Sequence, residues 1–198
     1  MENFKTIIRT LMFVFVVLIC ATTFYYYTEQ GNARAESLKP KLPDFEHNDN
    51  QQFLNNVVDC VYYIQHTKPN IHIVNLELLL AQAALESGWG NSRFAKEGKN
   101  LFGIRTYQLT EPHMLPSNNP KKWGVKVYQH ECDSVLNYIN VLNNGGAYKN
   151  YRRMREDGID DPYLLVETLD AYAADKNYFS KVKSILKKIE NEYKIERK

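Results

Sequence analysis

Apolar positions in this chain recur at intervals of three and four over most of its length, the period of helices with one buried face. Phe53, Val57, Val61 and Ile64 set out the first such stripe. Asn75 then stands where an N-cap belongs, ahead of LELLLAQAALES, and Gly88 closes that helix. Asn91 is the expected cap of a short helix over SRFAKE, with Gly98 as its stop. Farther on, CDSVLNYINVLNN, AYKNYRRMRE, a segment begun by Pro162 and a long helix from about Asn177 continue the pattern. In the last of these Tyr178, Val182, Ile185, Ile189 and Tyr193 make one apolar stripe, a core-facing arrangement. The period shortens to two in LFGIRTY and in WGVKVYQ, as in strands, and the stretch between them, with Pro112, Pro116 and Pro120, reads as a long loop. These elements predict an α+β domain over residues 51–198, predominantly helical with a small β-hairpin inserted among the helices.

The N-terminus breaks this pattern. Lys5 and Arg9 lie in a basic flank, residues 1–9, and no charge follows from Thr10 to Thr28. As a helix those 19 residues extend about 28 Å, nearly the thickness of a bilayer core. With the basic flank on the cytoplasmic side, the rest of the chain is expected outside the cytoplasm. Two forms fit. One is a membrane-embedded signal-anchor, with Tyr25, Tyr26 and Tyr27 in the interfacial belt and the domain facing the periplasm or cell exterior. The other is a secretory signal cut after Ala35, at the small-x-small sequence Ala33-Arg34-Ala35. Residues 29–50, which include ESLKPKLPDFEHNDN, hold no apolar period and are expected to be a linker.

Composition narrows the chemistry. The chain has 198 residues, 44% hydrophobic and 24% charged, enough to bury a core. A net charge of +2 points to no nucleic-acid partner. The mixed-sign runs RRMRE and KKIENEYKIERK read as solvated helix faces. His47, His66, His72, His113 and His130 fall into no metal-ligand spacing, so neither a metal nor a cofactor is expected. Ser87 lacks the GxSxG setting of a nucleophilic serine. In an oxidising compartment Cys60 and Cys132 either pair or remain buried thiols.

One carboxylate stands apart. Leu79, Gln82, Ala83 and Glu86 share a helix face, whereas Glu77 lies about half a turn away and is expected to face water. A carboxyl on an apolar face, at the negative end of a helix dipole, is disfavoured as an anion, so its pKa rises. That is what a general acid needs in order to stay protonated near neutral pH. Gly88 and Gly90 would allow a sharp turn and leave room for a bulky substrate, with Trp89 as a wall. A helical glutamate is ordinarily a surface residue, and pattern alone does not overturn that reading.

The run AQAALESGWGNSRFAKEGKNLFGI, residues 81–104, closely resembles the catalytic signature of the glucosaminidase family of glycoside hydrolases (family 73), and within it the Bax-like branch related to the flagellar rod-assembly hydrolase. The similarity continues in KVYQHECDSVLNYINVLN and in LDAYAADKNYFSKVKSIL, whose Tyr172-to-Tyr178 portion is similar to the family's Tyr-Ala-x-Asp-x-x-Tyr segment. The resemblance implies a lysozyme-like fold and hydrolysis of β-1,4 bonds in peptidoglycan glycan strands, on the reducing side of N-acetylglucosamine. It implies Glu86 as the acid and Tyr172 beside the cleft, with Trp89, Phe102 and Tyr178 as aromatic neighbours that contact substrate or pack the core.

A second catalytic group is less legible. Glu111 falls in the hairpin region where some family members carry another glutamate, although its surroundings in YQLTEPHM match poorly. Glu131 and Asp133 are alternatives that also read as surface or capping residues. The substrate's own 2-acetamido group can replace a carboxylate nucleophile altogether. Besides the glucosaminidase, a lytic transglycosylase that forms anhydro-muramic ends and a non-catalytic wall-binding module remain as alternative functions.

Overall fold

The computed structural model describes residues 2–37, 40–117, 122–172 and 175–197. The chain divides into two compact units, Met1–Pro40 and Lys41–Lys198. In the first, helix α1 (Glu2–Ser37) runs without interruption through the apolar segment. Among the described residues no helix is long and apolar enough to cross a membrane. The side chains of Lys5, Arg9, Phe13 and the expected cleavage sequence Ala33–Ala35 lie outside the described residues, as do Leu38 and Lys39 of the expected linker.

The second unit is built around one enclosed helix. Helix α2 (Asn50–Thr67) is capped by Asp49, whose carboxylate accepts from the Gln52 N–H at 2.8 Å. It buries the predicted stripe Phe53, Val57, Val61 and Ile64. Residues 41–49, expected as linker, pack on the domain: the Phe45 ring meets Phe53 edge-on at 6.0 Å, and Asn56 donates to the Glu46 carbonyl. Helix α3 (Leu76–Ser87) is capped by the Asn75 side chain and stopped by Gly88 in the left-handed region, as expected. Leu78, Leu79, Leu80 and Ala81 are all wholly buried, a full turn of the helix, so α3 is sheathed on every side. Each such leucine contributes about 1.5–3 kcal/mol of transfer free energy. Glu77 stands near the surface and pairs with Arg197.

Helix α4 (Arg93–Gly98) departs from expectation by one residue at each end. Ser92, not Asn91, caps it: the Ser92 hydroxyl accepts from the Ala95 N–H at 3.1 Å, while Asn91 belongs to the preceding turn. Lys99, not Gly98, takes the left-handed closing position. Gly98 lies inside the helix instead, close against the Met114 sulfur, which a β-carbon would approach to 2.8 Å.

The predicted hairpin forms part of a three-stranded antiparallel sheet in the order β1 (Arg105–Thr106), β3 (Gly124–Lys126), β2 (His113–Met114). The register sets Arg105 opposite Val125, and His113 opposite Lys126. The expected long loop thus supplies a third strand between Pro112 and Pro116; Pro120 lies outside the described residues.

Helix α5 (Glu131–Asn144) starts at a His130 cap that Asp133 reciprocates. Next come α6 (Lys149–Glu156) and α7 (Pro162–Leu165), whose N-cap is Asp161. Helix α8 (Tyr178–Glu192) packs along α3 and buries Tyr178, Val182, Leu186 and Ile189. Leu186 rather than Ile185 occupies the third core position, the residue that a strict four-residue step from Val182 reaches. Cys60 of α2 and Cys132 of α5 form a disulfide with Cα atoms 4.9 Å apart.

Candidate active site

The C-terminus of α3 ends in an abrupt reversal. Gly88, Trp89 and Gly90 all have left-handed backbones, with φ of 57°, 58° and 78°. Ser87 is wholly buried and ties the turn together, donating to the Ala83 carbonyl and accepting the Gly90 N–H at 2.7 Å. Trp89 adopts a conformation unfavourable for a side chain with a β-carbon. Its ring is held by Phe53 at 6.3 Å and Tyr193 at 5.4 Å, with the Lys188 ammonium over its face. The space beside Gly90 is filled by the chain itself, since a β-carbon there would lie 2.6 Å from the His47 ring. That glycine therefore accommodates the segment ahead of α2 rather than a bulky substrate. Gly88 does face open space.

This reversal leaves Glu86 half-buried on the last turn of α3. Burial raises its pKa above the ordinary carboxyl value, and a hydrogen bond with Tyr178 partly opposes the rise. Facing it is the turn NLFG, with Gly103 in the left-handed region at φ 64°. A β-carbon added at Gly103 would lie 3.7 Å from Glu86 Oε2. Asn100, almost wholly buried, shapes this turn: its amide donates to the carbonyls of Ile104 and Lys126, and its oxygen accepts from the N–H groups of Phe102 and Ile104. The Leu101 N–H donates to Ser134 of α5.

Aromatic rings close the inner side. Tyr172 donates to the Phe102 carbonyl at 3.0 Å and stacks on Tyr178, with ring centres 5.7 Å apart. Phe102 stacks on Tyr138 at 4.1 Å. Tyr138 in turn donates to the Gln82 carbonyl oxygen, and the Gln82 amide donates to the Tyr178 hydroxyl at 2.7 Å. Burial pushes the pKa of Tyr138, Tyr172 and Tyr178 upward, so all three remain neutral hydrogen-bond donors at neutral pH. The result is a carboxyl whose neutral form burial favours, set on an aromatic wall and open toward a glycine turn. It is suited to giving up one proton to a neutral oxygen.

Of the residues singled out from sequence, Glu86, Phe102, Tyr172 and Tyr178 converge here; Ala173 and Ala174 of the tyrosine segment lie outside the described residues. Trp89 turns to the other flank of the reversal. Glu111 lies between β1 and β2, accepting from Thr106 at 3.1 Å and pairing with Lys126 at 3.5 Å. Glu131 is buried against Lys99 rather than on the surface, and Asp133 belongs to the α5 cap. Sequence reasoning missed Gln82 and Asn100 as organisers. A polar side chain in the all-apolar run of α3 was the available signal for Gln82. It also missed His130, whose ring nitrogen shares a 4.8 Å cluster with the sulfurs of Cys60 and Cys132. Those sulfurs are bonded to each other and so are not free thiolate ligands.

Comparison with known proteins places this geometry. Residues 63–191 match the glucosaminidase family model, described as mannosyl-glycoprotein endo-beta-N-acetylglucosaminidase, and the chain belongs to that family. It is 33% identical to the peptidoglycan hydrolase FlgJ of Vibrio parahaemolyticus over 132 residues, which is 60% of this chain and 42% of that protein. It is 31% identical to protein Bax of Escherichia coli over 86 residues, 43% of this chain and 30% of that one. The chain therefore spans less than half the length of these curated relatives. The catalytic domain of the autolysin Auto from Listeria monocytogenes has the same fold, with a TM-score of 0.54 and 24% identity over 82% of this chain and 94% of that domain.

Proposed function

We propose that this protein is a peptidoglycan hydrolase, cleaving β-1,4 bonds on the reducing side of N-acetylglucosamine with Glu86 as general acid. The observation that carries this reading is the half-buried Glu86 carboxyl, raised in pKa and opposed by the open Gly103 turn. Family membership and the names of the relatives support the substrate class. Protonation of the glycosidic oxygen by Glu86 lets the bond break as positive charge develops on the sugar ring. Tyr172 holds the Phe102 carbonyl and with it the turn facing the acid, while Phe102 and Tyr178 form the wall behind it. Trp89 sets the reversal that ends α3 and packs on its other flank against Phe53 and Tyr193.

For the second role we favour the substrate's own 2-acetamido group. In retaining enzymes the two carboxyls stand about 5–5.5 Å apart, and a carboxylate that close would raise the Glu86 pKa by charge repulsion. Among the described residues, burial and Tyr178 are what move it. Glu111 is the alternative, as a base acting from the sheet. The apolar, uncharged stretch behind a basic flank supports export through α1, with the domain anchored at the membrane or released by cleavage after Ala35.

The test is digestion of purified peptidoglycan by the full chain, then borohydride reduction and mass spectrometry of the new ends. Reduced N-acetylglucosamine is expected. Anhydro-muramic ends would instead make it a lytic transglycosylase. Binding without soluble product would make it a wall-binding module.

A further inference from the structure

A primary amide wholly enclosed in an apolar helix calls for a reason. Gln82 lies between Leu79 and Glu86 on the face met by Tyr138 of α5 and Tyr178 of α8, and none of it is exposed. Burying a carboxamide is unfavourable by several kcal/mol unless both of its ends are bonded. Here both are bonded, each to a tyrosine. Its oxygen accepts from Tyr138 of α5, and its nitrogen donates to Tyr178 of α8 at 2.7 Å.

The polarity of these bonds matters more than their number. An amide nitrogen can only donate. The Tyr178 oxygen is therefore occupied as an acceptor on the Gln82 side, and its proton is left for the carboxyl beside it. The amide is placed with its oxygen toward Tyr138, which donates to it, and its nitrogen toward Tyr178. Every dipole then runs one way, from Tyr138 through Gln82 and Tyr178 to Glu86, and aligned bonds of this kind reinforce one another.

We infer that Gln82 is a positioning residue, which with Tyr138 commits the Tyr178 hydroxyl to donate to Glu86. This rests on the proposed role of Glu86 as the acid. When Glu86 gives its proton to the glycosidic oxygen, the new carboxylate finds a donor already aimed at it. Burial holds the proton before the step, and the chain of bonds steadies the anion after it. The groups facing Glu86 are Tyr178 from α8, Tyr172 from the turn before it and Tyr138 from α5, with Tyr148 packed against Tyr172. Among the described residues that act on Glu86, none is a cation or a second carboxylate, so the tyrosine bond is the one polar influence set against burial.

The test uses the full chain, three substitutions along the chain of bonds and Glu86→Gln as the control for the acid itself. Gln82→Met keeps the length and removes both bonds. Gln82→Glu, neutral when buried, keeps an acceptor for Tyr138 and a donor for Tyr178. Tyr178→Phe removes the donor to Glu86 directly. Turnover of soluble peptidoglycan fragments is followed against pH, with circular dichroism as the check on folding. A general acid works while protonated, so activity falls as pH rises through its pKa. Losing the Tyr178 donor lifts that pKa further and moves the alkaline limb to higher pH. Gln82→Met and Tyr178→Phe are expected to show this shift with turnover lowered by about tenfold to a hundredfold, the scale of a misplaced catalytic group. Gln82→Glu is expected to restore both the limb and most of the rate. A folded Gln82→Met with the parent profile overturns the inference. Should that variant not fold, an unmoved limb in Tyr178→Phe overturns it equally. Full activity in Glu86→Gln would instead remove the acid itself, which separates the two failures.

Discussion

Gly103 and Glu86 face each other across the mouth of the site, with the position of a β-carbon on Gly103 only 3.7 Å from Glu86 Oε2. The glycine serves two ends at once. Its φ of 64° lies where L-residues are strained, and its missing side chain leaves the acid uncovered. Gly103→Ala is expected to lose about 1–2 kcal/mol of stability from the left-handed backbone alone. It should lose activity beyond what that destabilisation explains, because the methyl occupies the approach to the proton. Thermal melting and fragment turnover on the same preparation separate the two effects. A variant that is destabilised yet fully active would show that substrate reaches Glu86 from another side.

Glu86→Gln removes the proton and keeps the shape. Activity should fall about a hundredfold or more, the usual contribution of a general acid. Stability should move the opposite way. A carboxyl whose pKa is raised in the folded state binds its proton more tightly there than in the unfolded chain, so folding is increasingly opposed as pH climbs past the unfolded value of about 4.3. Glutamine escapes that penalty. The melting temperature of Glu86→Gln should therefore exceed the parent's at about pH 8, with the difference shrinking toward about pH 4, below which both states of the parent hold the proton. An equal gap at both pH values would contradict the raised pKa.

Asn100 acts at one remove. Its side chain satisfies four backbone groups of the turn and the adjoining strand from a nearly sealed position. Asn100→Ala leaves buried donors and acceptors unpaired, at about 1–3 kcal/mol each. Asn100→Asp keeps the acceptor but loses the two donated bonds to Ile104 and Lys126. Both are expected to melt earlier and to lower turnover through the Phe102–Gly103 backbone, with alanine the worse. Calorimetry and turnover assays check the order.

What the sequence made legible was mostly local. Asn75 and Gly88 bound α3 because capping depends on residues within one turn, and the pattern of α2 survives intact because its stripe needs only periodicity. Where two caps stand side by side, Asn91 and Ser92, the choice depended on where the preceding turn ended. That turn holds Asn91 through the Gly88 carbonyl and Ser92 through the Ser87 carbonyl, leaving the Ser92 hydroxyl to reach Ala95. The third strand was hidden because His113 and Met114 become a strand only by pairing with β3. In the site, Glu86 could be placed on a buried face from spacing, and the resemblance gave it a role. The partners of Gln82 could not be read, since Tyr138 and Tyr178 lie 56 and 96 residues away. Nor could the space at Gly90 be assigned to His47, a contact spanning the apparent linker.

The disulfide offers a test of the scaffold apart from the chemistry. Cys60 and Cys132 are 72 residues apart, and a cross-link closing a loop of that size stabilises by about 2–4 kcal/mol. Helix α5, which carries Cys132, also presents Ser134 to the NLFG turn and Tyr138 to Gln82. Paired replacement of both cysteines by alanine is expected to lower the melting temperature by several degrees. Activity below the new melting range should persist, because the disulfide touches none of the reacting groups. Loss of turnover in a variant that remains folded would mean that α5 needs the covalent tie to hold Tyr138 in place.

The last question is which group completes the reaction after Glu86 gives its proton. Glu111 is engaged by Thr106 and Lys126, both within the sheet, and no charge repulsion from it registers on Glu86. A carboxylate acting as nucleophile would have to leave those partners and approach the sugar. The acetamido group is already attached next to the breaking bond, where effective concentration favours it. Glu111→Gln is therefore expected to keep activity within about tenfold of the parent, short of the loss of about a hundredfold or more expected for Glu86→Gln. Peptidoglycan whose N-acetylglucosamine has been deacetylated should be cut poorly by the parent, since a free amine offers no carbonyl oxygen to attack the ring carbon. A collapse of turnover in Glu111→Gln, with deacetylated strands still cleaved, would transfer the second role to Glu111. It would also make the enzyme an ordinary two-carboxylate glycosidase.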